Sequence, residues 1–338
     1  MKKYFVTFFA VFCILFCFTS SDSCAQTIVL KALSHLPKDN LVNDPVQIFV
    51  EKVNKLSKGR LRIDWVGGPE VIPSYDQVLA LKKGSIDMLI YCAFSFTKTI
   101  MPEADAKGLS ELTEWEERKS GAFKLWTEIF EKRLNAKYLG RFQSVVPFMI
   151  YSNRKINSLE DFKGLKIRSM PLYVPFLKAL GAVPSMIPPS DMYTAVERKV
   201  VDAFMWPRIG MISWGLHEIT KYVIEPGVFQ LEPGTFINLD KWKTIPKDLQ
   251  DIIMDVMQDM EFIGTMRAMQ IMTYEDNVRK KAGMEYIHLS PQVAAELTRI
   301  AQEETWKAVI AGAPEYGPKL RKLSSKSAMP KGSFPWYK

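Results

Sequence analysis

The chain has 338 residues, of which 47% are hydrophobic and 24% are charged. These values are ordinary for a soluble globular protein with room for two domains. The formal net charge is +8, but the basic residues are scattered among acidic ones rather than gathered in a block or stripe. Because nucleic-acid binding needs clustered positive charge, this pattern excludes that class of protein and leaves only a mild attraction for anionic solutes.

The first 25 residues are predicted to be a secretory signal peptide. Two lysines precede an apolar run from Tyr4 to Phe18, and small residues stand at the cleavage positions before Gln26. The run is about fifteen residues long, whereas a membrane span requires about twenty. An uncleaved anchor and a lipid attached to Cys24 are the less favoured alternatives. We therefore expect cleavage of the signal and localisation in the periplasm.

Cysteine usage fits an exported protein without internal disulfides. Of the 4 cysteines, only Cys92 lies outside the predicted signal. A single cysteine cannot form an internal disulfide. Cys92 follows the predicted strand that ends at Tyr91, and we expect it to be a small buried residue.

After the signal, strands and helices alternate. The predicted elements of this first series are a strand from Thr27 to Ala32, a helix from Pro45 to Leu56, a strand from Leu61 to Val66, a helix from Tyr75 to Lys83 and a strand from Ile86 to Tyr91. Such alternation is typical of a largely parallel sheet with crossover helices. A longer amphipathic helix is predicted from Trp115 to Leu134, and extended chain from Ala136 to Tyr151 leads into the next series.

The second series repeats the pattern. Its predicted strands and helices are Leu165 to Arg168, Val183 to Met186 and Val200 to Met205 for the strands, with Tyr173 to Leu180 and Ser190 to Lys199 for the helices. Phe229 to Asn238 is expected to return the chain to the first sheet. A long helical tract is predicted from about Lys247 to Ala282, and a last helix from Ser290 to about Ala311. The Lys-, Ser- and Pro-rich stretch from Pro314 onward is expected to lie over the surface.

Two such series predict an α/β protein of two lobes, with a ligand cleft between the lobes and a long helix spanning them. We expect lobe I to comprise residues 26–145 and about 232–275. Lobe II is expected to comprise residues 146–231 and about 276–325, followed by a C-terminal tail of residues 326–338.

The sequence lacks the residue patterns of common active sites. Its 3 histidines have no companions at the spacing of metal ligands, no glycine-rich loop is suited to phosphate, and no serine stands in a nucleophile elbow. We therefore predict binding rather than catalysis, and no cofactor. His35 follows a predicted strand end and is a candidate for the cleft wall; a surface or structural role is the alternative.

The segment from Gly164 to Pro171 is the most informative part of the chain. Arg168 ends an apolar strand and a proline turn follows, so its guanidinium is expected at the carboxyl edge of a sheet. The planar fork of a guanidinium matches the two oxygens of a carboxylate. The alternative is an ion pair within the lobe, with Glu160 or Asp161 as the partner.

A second predicted strand, ending near Trp206, reaches the same edge. Phe204 and Trp206 are candidates for the cleft wall beside Arg168, with packing in the core as an equal alternative. The predicted ligand-binding set is completed by Met205, Phe148 and Tyr173.

In several segments the chain resembles the solute-binding proteins of tripartite ATP-independent periplasmic (TRAP) transporters. Each segment is short, but together they follow the family's order over nearly all of the mature chain. They include Leu30 to His35, Phe49 to Val53, Lys83 to Met88, Ser158 to Pro171, Ser190 to Ala195 and Glu197 to Pro207.

The resemblance implies a two-lobed receptor of the Venus flytrap type that closes on an organic anion and delivers it to a membrane permease. It also implies that Arg168 pairs with the solute carboxylate, because Arg168 matches the family's arginine. The expected partners are a small organic acid anion and the TRAP permease subunits, and the receptor is expected to be a monomer. A ligand-sensing module that is not used for transport is the alternative.

The chain departs from the family pattern at two places. Many members carry a second arginine shortly before the pair that matches Ser152-Asn153, where this chain has Val146 to Met149. Many also have Asn-Pro where this chain has Trp206-Pro207. We therefore expect a monocarboxylate, or a 2-oxo or hydroxy acid, with an apolar part; a dicarboxylate is the alternative. Another charge could come from Arg208, Arg141 or Lys31.

Glu70 follows Gly-Gly-Pro in a predicted cleft loop. Its carboxylate is a candidate to accept a hydroxyl of the solute, or to hold a cation that bridges to the solute carboxylate. A plain turn residue is an equal alternative, and no other metal ligand is predicted.

Overall fold

The computed structural model of the protein describes residues 26–328, so the predicted signal peptide and residues 329–338 lie outside the described part. The strands in chain order are β1 (Ile28–Leu33), β2 (Leu61–Gly67), β3 (Met88–Ala93), β4 (Ala136–Arg141), β5 (Phe148–Ser152), β6 (Lys166–Ser169), β7 (Val183–Met186), β8 (Ala203–Pro207), β9 (Tyr222–Glu225), β10 (Pro233–Asn238) and β11 (Glu285–His288). The α-helices are α1 (Asp44–Leu56), α2 (Ser74–Lys82), α3 (Glu114–Ser120), α4 (Ala122–Leu134), α5 (Val174–Ala179), α6 (Met192–Glu197), α7 (Leu239–Thr244), α8 (Lys247–Lys281), α9 (Pro291–Gly312) and α10 (Gly317–Leu323).

The first sheet has the strand order β2-β1-β3-β10-β4. β1 runs parallel to both of its neighbours, as the alternation of strands and helices predicts. β10 lies between β3 and β4 and is antiparallel to both. The predicted return of residues 229–238 to this sheet is confirmed, and it completes the sheet from a distant part of the chain.

The second sheet has the strand order β11-β9-β5-β8-β6-β7. β6 is parallel to both β7 and β8, whereas β5 is antiparallel to β8 and β9. The stretch from Ala136 to Tyr151, which was predicted to be extended, therefore contains strands of both sheets. Its first part is β4 of the first sheet, and its last part lies in β5 of the second sheet. Arg168 of β6 pairs in register with Phe204 of β8, which places the two predicted cleft strands side by side.

The long helix α8 reaches residues that belong to both halves of the molecule. It begins after Pro246, and its 35 residues agree with the predicted tract. Along α8, Glu261 pairs with Arg118 of α3. Four turns later Asp276 accepts from Arg208, just beyond β8, at 2.7 Å. This arrangement agrees with the predicted helix spanning the lobes.

Two predicted elements were wrong. The helix predicted from Trp115 to Leu134 is two helices, α3 and α4. Gly121 between them has a φ of +90°, a left-handed conformation that ends a helix. The stretch after Pro314 is not a surface tail throughout, because it contains α10, whose Leu320 is fully buried in the core.

Cys92 lies in β3, and every residue of that strand is buried. The prediction of a small buried cysteine is therefore confirmed. Burial raises the pKa of the Cys92 thiol well above its ordinary value, so the thiol is protonated and unreactive.

Candidate ligand-binding site

The two sheets face each other across a chamber at their strand ends. From the side of the first sheet its wall includes His35, Tyr91, Phe96 and Glu232, and from the side of the second sheet Phe148, Met170, Pro189, Trp206 and Pro207. The cavity volume of the chamber is about 30 Å³, which is room for a water-sized group.

A wider pocket, which we call the vestibule, adjoins the chamber. The two share His35, Leu36 and Pro189. The vestibule has a cavity volume of about 550 Å³, within the range of pockets that hold small organic molecules, and its wall also includes Glu70 and Tyr75. The chamber and the vestibule are therefore neighbouring parts of the cleft.

Arg168 is fully buried at the edge of this cleft. Its Nε donates to the carbonyl oxygen of Ile187 at 2.9 Å, and its Nη1 donates to that of Met205 at 3.3 Å. Its Nη2 has no hydrogen-bond partner among the described residues. The guanidinium lies over the ring of Trp206, 5.6 Å from the ring centroid. Arg168 is itself behind the chamber wall, which its neighbours Met170 and Trp206 form.

The candidate partners for an internal ion pair lie elsewhere. Glu160 pairs with Lys163 at 2.5 Å, and Asp161 accepts from the backbone of Ser158 at 2.9 Å. Burial lowers the pKa of Arg168 from its ordinary value. The described chain thus holds a buried guanidinium that is bonded to carbonyl oxygens alone, an arrangement that favours an anion as the missing partner.

Phe148, Trp206 and His35 are the three predicted ligand-binding residues that line the chamber. Trp206 is almost fully buried, and its indole Nε1 has no hydrogen-bond partner in the described chain. This N–H group and Nη2 of Arg168 are two donors available at the same edge of the second sheet.

Tyr173 and Met205 are buried but are absent from the chamber wall. The ring of Tyr173 packs against Phe148 with a centroid separation of 5.1 Å. Met205 contacts Arg168 through its carbonyl oxygen, and its side chain projects from the opposite face of β8 to that of Trp206. These two residues therefore support the wall rather than form it.

His35 does not supply a positive charge to the cleft. Its Nδ1 is hydrogen bonded to the carbonyl oxygen of Tyr91, and its ring stacks on that of Tyr91 with centroids 5.5 Å apart. Burial lowers the pKa of His35 to about 4, so the imidazole is neutral at neutral pH.

Glu70 lies on the vestibule wall and closes its own turn. One carboxylate oxygen accepts from the backbone N–H of Gly68 at 2.7 Å. Among residues 26–328 no group of three or more His, Cys, Asp or Glu side chains is placed to hold a metal ion. The contact supports the turn role that the sequence left open.

The other cations considered as charge donors to the solute do not line the chamber or the vestibule. Arg208 pairs with Glu225 at 3.1 Å and with Asp276. Arg141 pairs with the buried Glu114 at 3.0 Å. The side chain of Lys31 is on the exposed side of β1.

Two cleft residues were missed by sequence reasoning. Tyr75 lies on the vestibule wall, its ring 4.5 Å from that of Phe96. Burial raises the pKa of its phenol, and the positive charge of Arg168 opposes that rise. Glu232 is buried on the chamber wall just before β10. Neither has a local sequence signal, because the fold of distant segments brings each to the cleft.

A cleft between two α/β lobes, with a buried guanidinium at its edge, defines a two-lobed solute-binding protein. The sequence profile of the bacterial extracellular solute-binding proteins, family 7, matches residues 33–311. The chain belongs to this family, whose members are solute receptors of transport systems. Among residues 26–328, the structure has no helix with the length and apolar character of a membrane span.

Curated relatives agree with this assignment. A solute-binding protein of Albidiferax ferrireducens is 25% identical over 305 residues, which are 84% of this chain and 87% of that protein. A monocarboxylate 2-oxoacid-binding periplasmic protein of Nostoc is 31% identical over 106 residues, 29% of this chain and 28% of that protein. An uncharacterised protein of Haemophilus influenzae is 37% identical over 113 residues, 31% of this chain and 32% of that protein. The last two matches span under a third of those proteins.

Solved structures share the whole architecture. A TRAP periplasmic solute-binding protein of Desulfovibrio salexigens with bound orotic acid has a TM-score of 0.81 and 20% identity, covering 89% of this chain and 99% of that one. A protein of the same kind from Rhodoferax ferrireducens, with bound malonate, has a TM-score of 0.75 and 23% identity, covering 87% and 96%. At these identities the likeness confirms the predicted two-lobed α/β fold.

Proposed function

We propose that this protein is a periplasmic TRAP receptor that binds a small organic acid through Arg168 and delivers it to a membrane permease. The observation that carries the proposal is the buried guanidinium of Arg168, whose Nη2 lacks a partner in the described chain. A solute carboxylate supplies both the charge and the acceptor that this group needs. Family membership supports the transport role and the periplasmic location.

The preferred solute in this proposal is a monocarboxylate, or a 2-oxo or hydroxy acid, with an apolar part. Trp206, Phe148 and Phe96 give the chamber aromatic walls. Arg141 and Arg208 are held by acidic partners and do not offer a second cation. The Nostoc relative is named as a monocarboxylate 2-oxoacid-binding protein. A dicarboxylate is the second candidate, because one structural neighbour holds malonate.

Closure of the two lobes on the solute is part of the same proposal. We assign residues 26–145 and about 232–275 to lobe I, and residues 146–231 and about 276–325 to lobe II. Val42 and Gly210 come from these two lobes and lie so close that a Cβ atom on Gly210 would collide with Val42. A bound solute that contacts both lobes would favour this closed arrangement and present one surface to the permease.

A thermal-shift screen of the mature chain tests the proposal. Pyruvate, lactate, 2-oxopentanoate, malonate and succinate are titrated into the wild type, Arg168→Ala and Arg154→Ala. Arg154 is exposed, so its substitution removes the same charge without touching the cleft. We expect saturable stabilisation of the wild type and of Arg154→Ala, led by a monocarboxylate, and none in Arg168→Ala. An equal shift in all three proteins would overturn the assignment of Arg168.

A further inference from the structure

Glu232 is a buried acid on the chamber wall that the carboxylate-binding role of Arg168 does not use. Only 1% of its surface is exposed. One of its carboxylate oxygens accepts from the hydroxyl of Ser95 at 2.7 Å, and the other from the backbone N–H of Phe94 at 3.2 Å. The backbone N–H of Ser95 also interacts with this carboxylate. Since a carboxylate has about four acceptor positions, some acceptor capacity remains for a group inside the chamber.

Glu232 and Arg168 carry opposite charges and approach the chamber from different sheets. Arg168 lies behind Trp206 on the side of the second sheet, whereas Glu232 is on the side of the first sheet. Burial raises the pKa of the Tyr173 phenol; the charge of Glu232 adds to this rise and the charge of Arg168 opposes it, so both charges act on this one region. No ion pair joins Glu232 to Arg168, since Glu232 bonds Ser95 and Phe94, and Arg168 bonds two carbonyl oxygens.

We propose that Glu232 is a specificity-determining residue that selects acids with a hydrogen-bond donor, such as a hydroxyl or N–H group, at the end remote from the carboxylate. A methyl end leaves the carboxylate of Glu232 without the extra bond. A second carboxylate at that end places two acids together in a buried space, and the like charges disfavour binding. This inference rests on the proposed function and narrows the proposed solutes to acids that carry such a donor.

The groups around Glu232 favour this role over a structural ion pair. Asp105 is the charged side chain with the largest effect on the pKa of Glu232, and Asp105 itself pairs with Lys98. Lys107 lies 5.4 Å from the ring centroid of Phe94 but pairs with Glu114 at 2.9 Å. Tyr91, Cys92, Tyr173 and His35 are other titratable groups nearby, and burial keeps each of them neutral. None of these groups provides a cation that would neutralise Glu232.

Burial, reinforced by Asp105, raises the pKa of Glu232 to about 7. Below this pH a protonated Glu232 can donate to a second carboxylate of the solute. Above it the ionised Glu232 repels that carboxylate and accepts from a hydroxyl. Discrimination against dicarboxylates should therefore increase as the pH rises through 7.

The test uses matched acids and isothermal titration calorimetry on the mature full chain. One set is butyrate, 4-hydroxybutyrate and succinate, and a longer set is pentanoate, 5-hydroxypentanoate and glutarate. At pH 8 we expect the hydroxyl-ended acid of one set to bind wild type about tenfold or more tighter than the methyl-ended acid, and the diacid to bind most weakly. In Glu232→Gln the diacid should gain affinity and the hydroxyl advantage should shrink. Glu197→Gln, at an exposed site, is the matched control.

A pH series separates the possible failures. In the wild type we expect the affinity for the diacid to fall about tenfold from pH 6 to pH 8, after correction for the protonation of the free diacid itself. In Glu232→Gln the affinity corrected in the same way should stay constant over this range. Acids that bind with the same order and pH profile in both proteins would overturn the role of Glu232 while leaving the proposed function intact. Failure of the wild type to bind any acid of the two sets or of the screen would overturn the proposed function itself. The wild-type pH series decides the inference even if Glu232→Gln fails to fold.

Discussion

The guanidinium of Arg168 lies 5.6 Å from the ring centroid of Trp206 and has no carboxylate partner among the described residues. The ring stabilises the cation without neutralising it, because the attraction comes from the quadrupole of the indole. Burial still lowers the pKa of Arg168. The pair therefore holds a positive charge in place while leaving it able to bind an anion.

Trp206 should control which solute is accepted. We predict that Trp206→Asn weakens binding of 2-oxopentanoate about tenfold, because a ring of the chamber wall and the stacking on Arg168 are both lost. Malonate should lose less affinity or gain some. Trp206→Phe keeps a ring and should retain the wild-type order. Calorimetric titration of both acids checks this, and an unchanged preference in Trp206→Asn would contradict it.

A buried ionic cluster near α3 should be important for stability but not for binding. Lys107 lies between Glu114 and Glu117, and all three side chains are fully buried, with Arg141 beside them. Lys107→Met leaves two buried carboxylates with one cation, and we predict a loss of about 3–5 kcal/mol in the free energy of unfolding. Urea denaturation measures it.

The control for the cluster is an exposed pair. Lys155 and Glu285 are 3.2 Å apart with both side chains 55% exposed, so Lys155→Met should leave the unfolding midpoint almost unchanged. The double variant Lys107→Met/Glu117→Gln should recover part of the loss, since it removes one unpaired acid. Equal midpoints for Lys107→Met and the wild type would show that the cluster is dispensable.

Gly210 should permit the approach of the two proposed lobes. Its φ is +89°, and an added Cβ would collide with Val42. We predict that Gly210→Ala weakens solute binding about tenfold or more and enlarges the radius of gyration measured with solute by small-angle X-ray scattering. Gly59→Ala is the matched control, because Gly59 has a φ of +80° but nothing within 4 Å. Val42→Ala added to Gly210→Ala should restore part of the affinity; no recovery would argue against the collision.

Glu232 should also affect stability without solute. Its pKa is about 7 when folded, against an ordinary value of 4.5, so between these pH values the folded chain holds a proton that the unfolded chain has lost. The stabilising contribution is complete below pH 4.5 and is lost as the pH rises to 7, on the order of 3 kcal/mol in total. We expect the wild type to lose stability relative to Glu232→Gln over this range in urea denaturation. A constant difference between the two would contradict the raised pKa.

Features that depend on local sequence were predictable. The helical pattern from about Lys247 to Ala282 predicted α8, and the apolar run from Leu165 to Arg168 predicted β6. Arg168 was predictable because a strand end followed by proline fixes its place at a sheet edge. The break at Gly121 carried a signal, a glycine inside a helical pattern, that the longer periodicity outweighed.

Features that depend on distant pairing were not predictable. Glu232 reaches the chamber because β10 inserts between β3 and β4, and a sequence pattern does not specify that neighbour. Arg208 remained a candidate for the solute because its partner Asp276 is 68 residues away. Whether a charged side chain is free or paired is decided by such contacts, and these appear only in the folded chain.

The most direct measurement combines stability and binding in Arg168→Met. A cation kept for a solute should stabilise the folded protein little by itself, because its burial is costly and it has no internal ion pair. We predict that Arg168→Met without solute unfolds at the wild-type urea concentration or above it, and that calorimetry detects no binding of the best acid from the screen. A variant whose free energy of unfolding is several kcal/mol lower than that of the wild type, and which still binds that acid, would contradict the account.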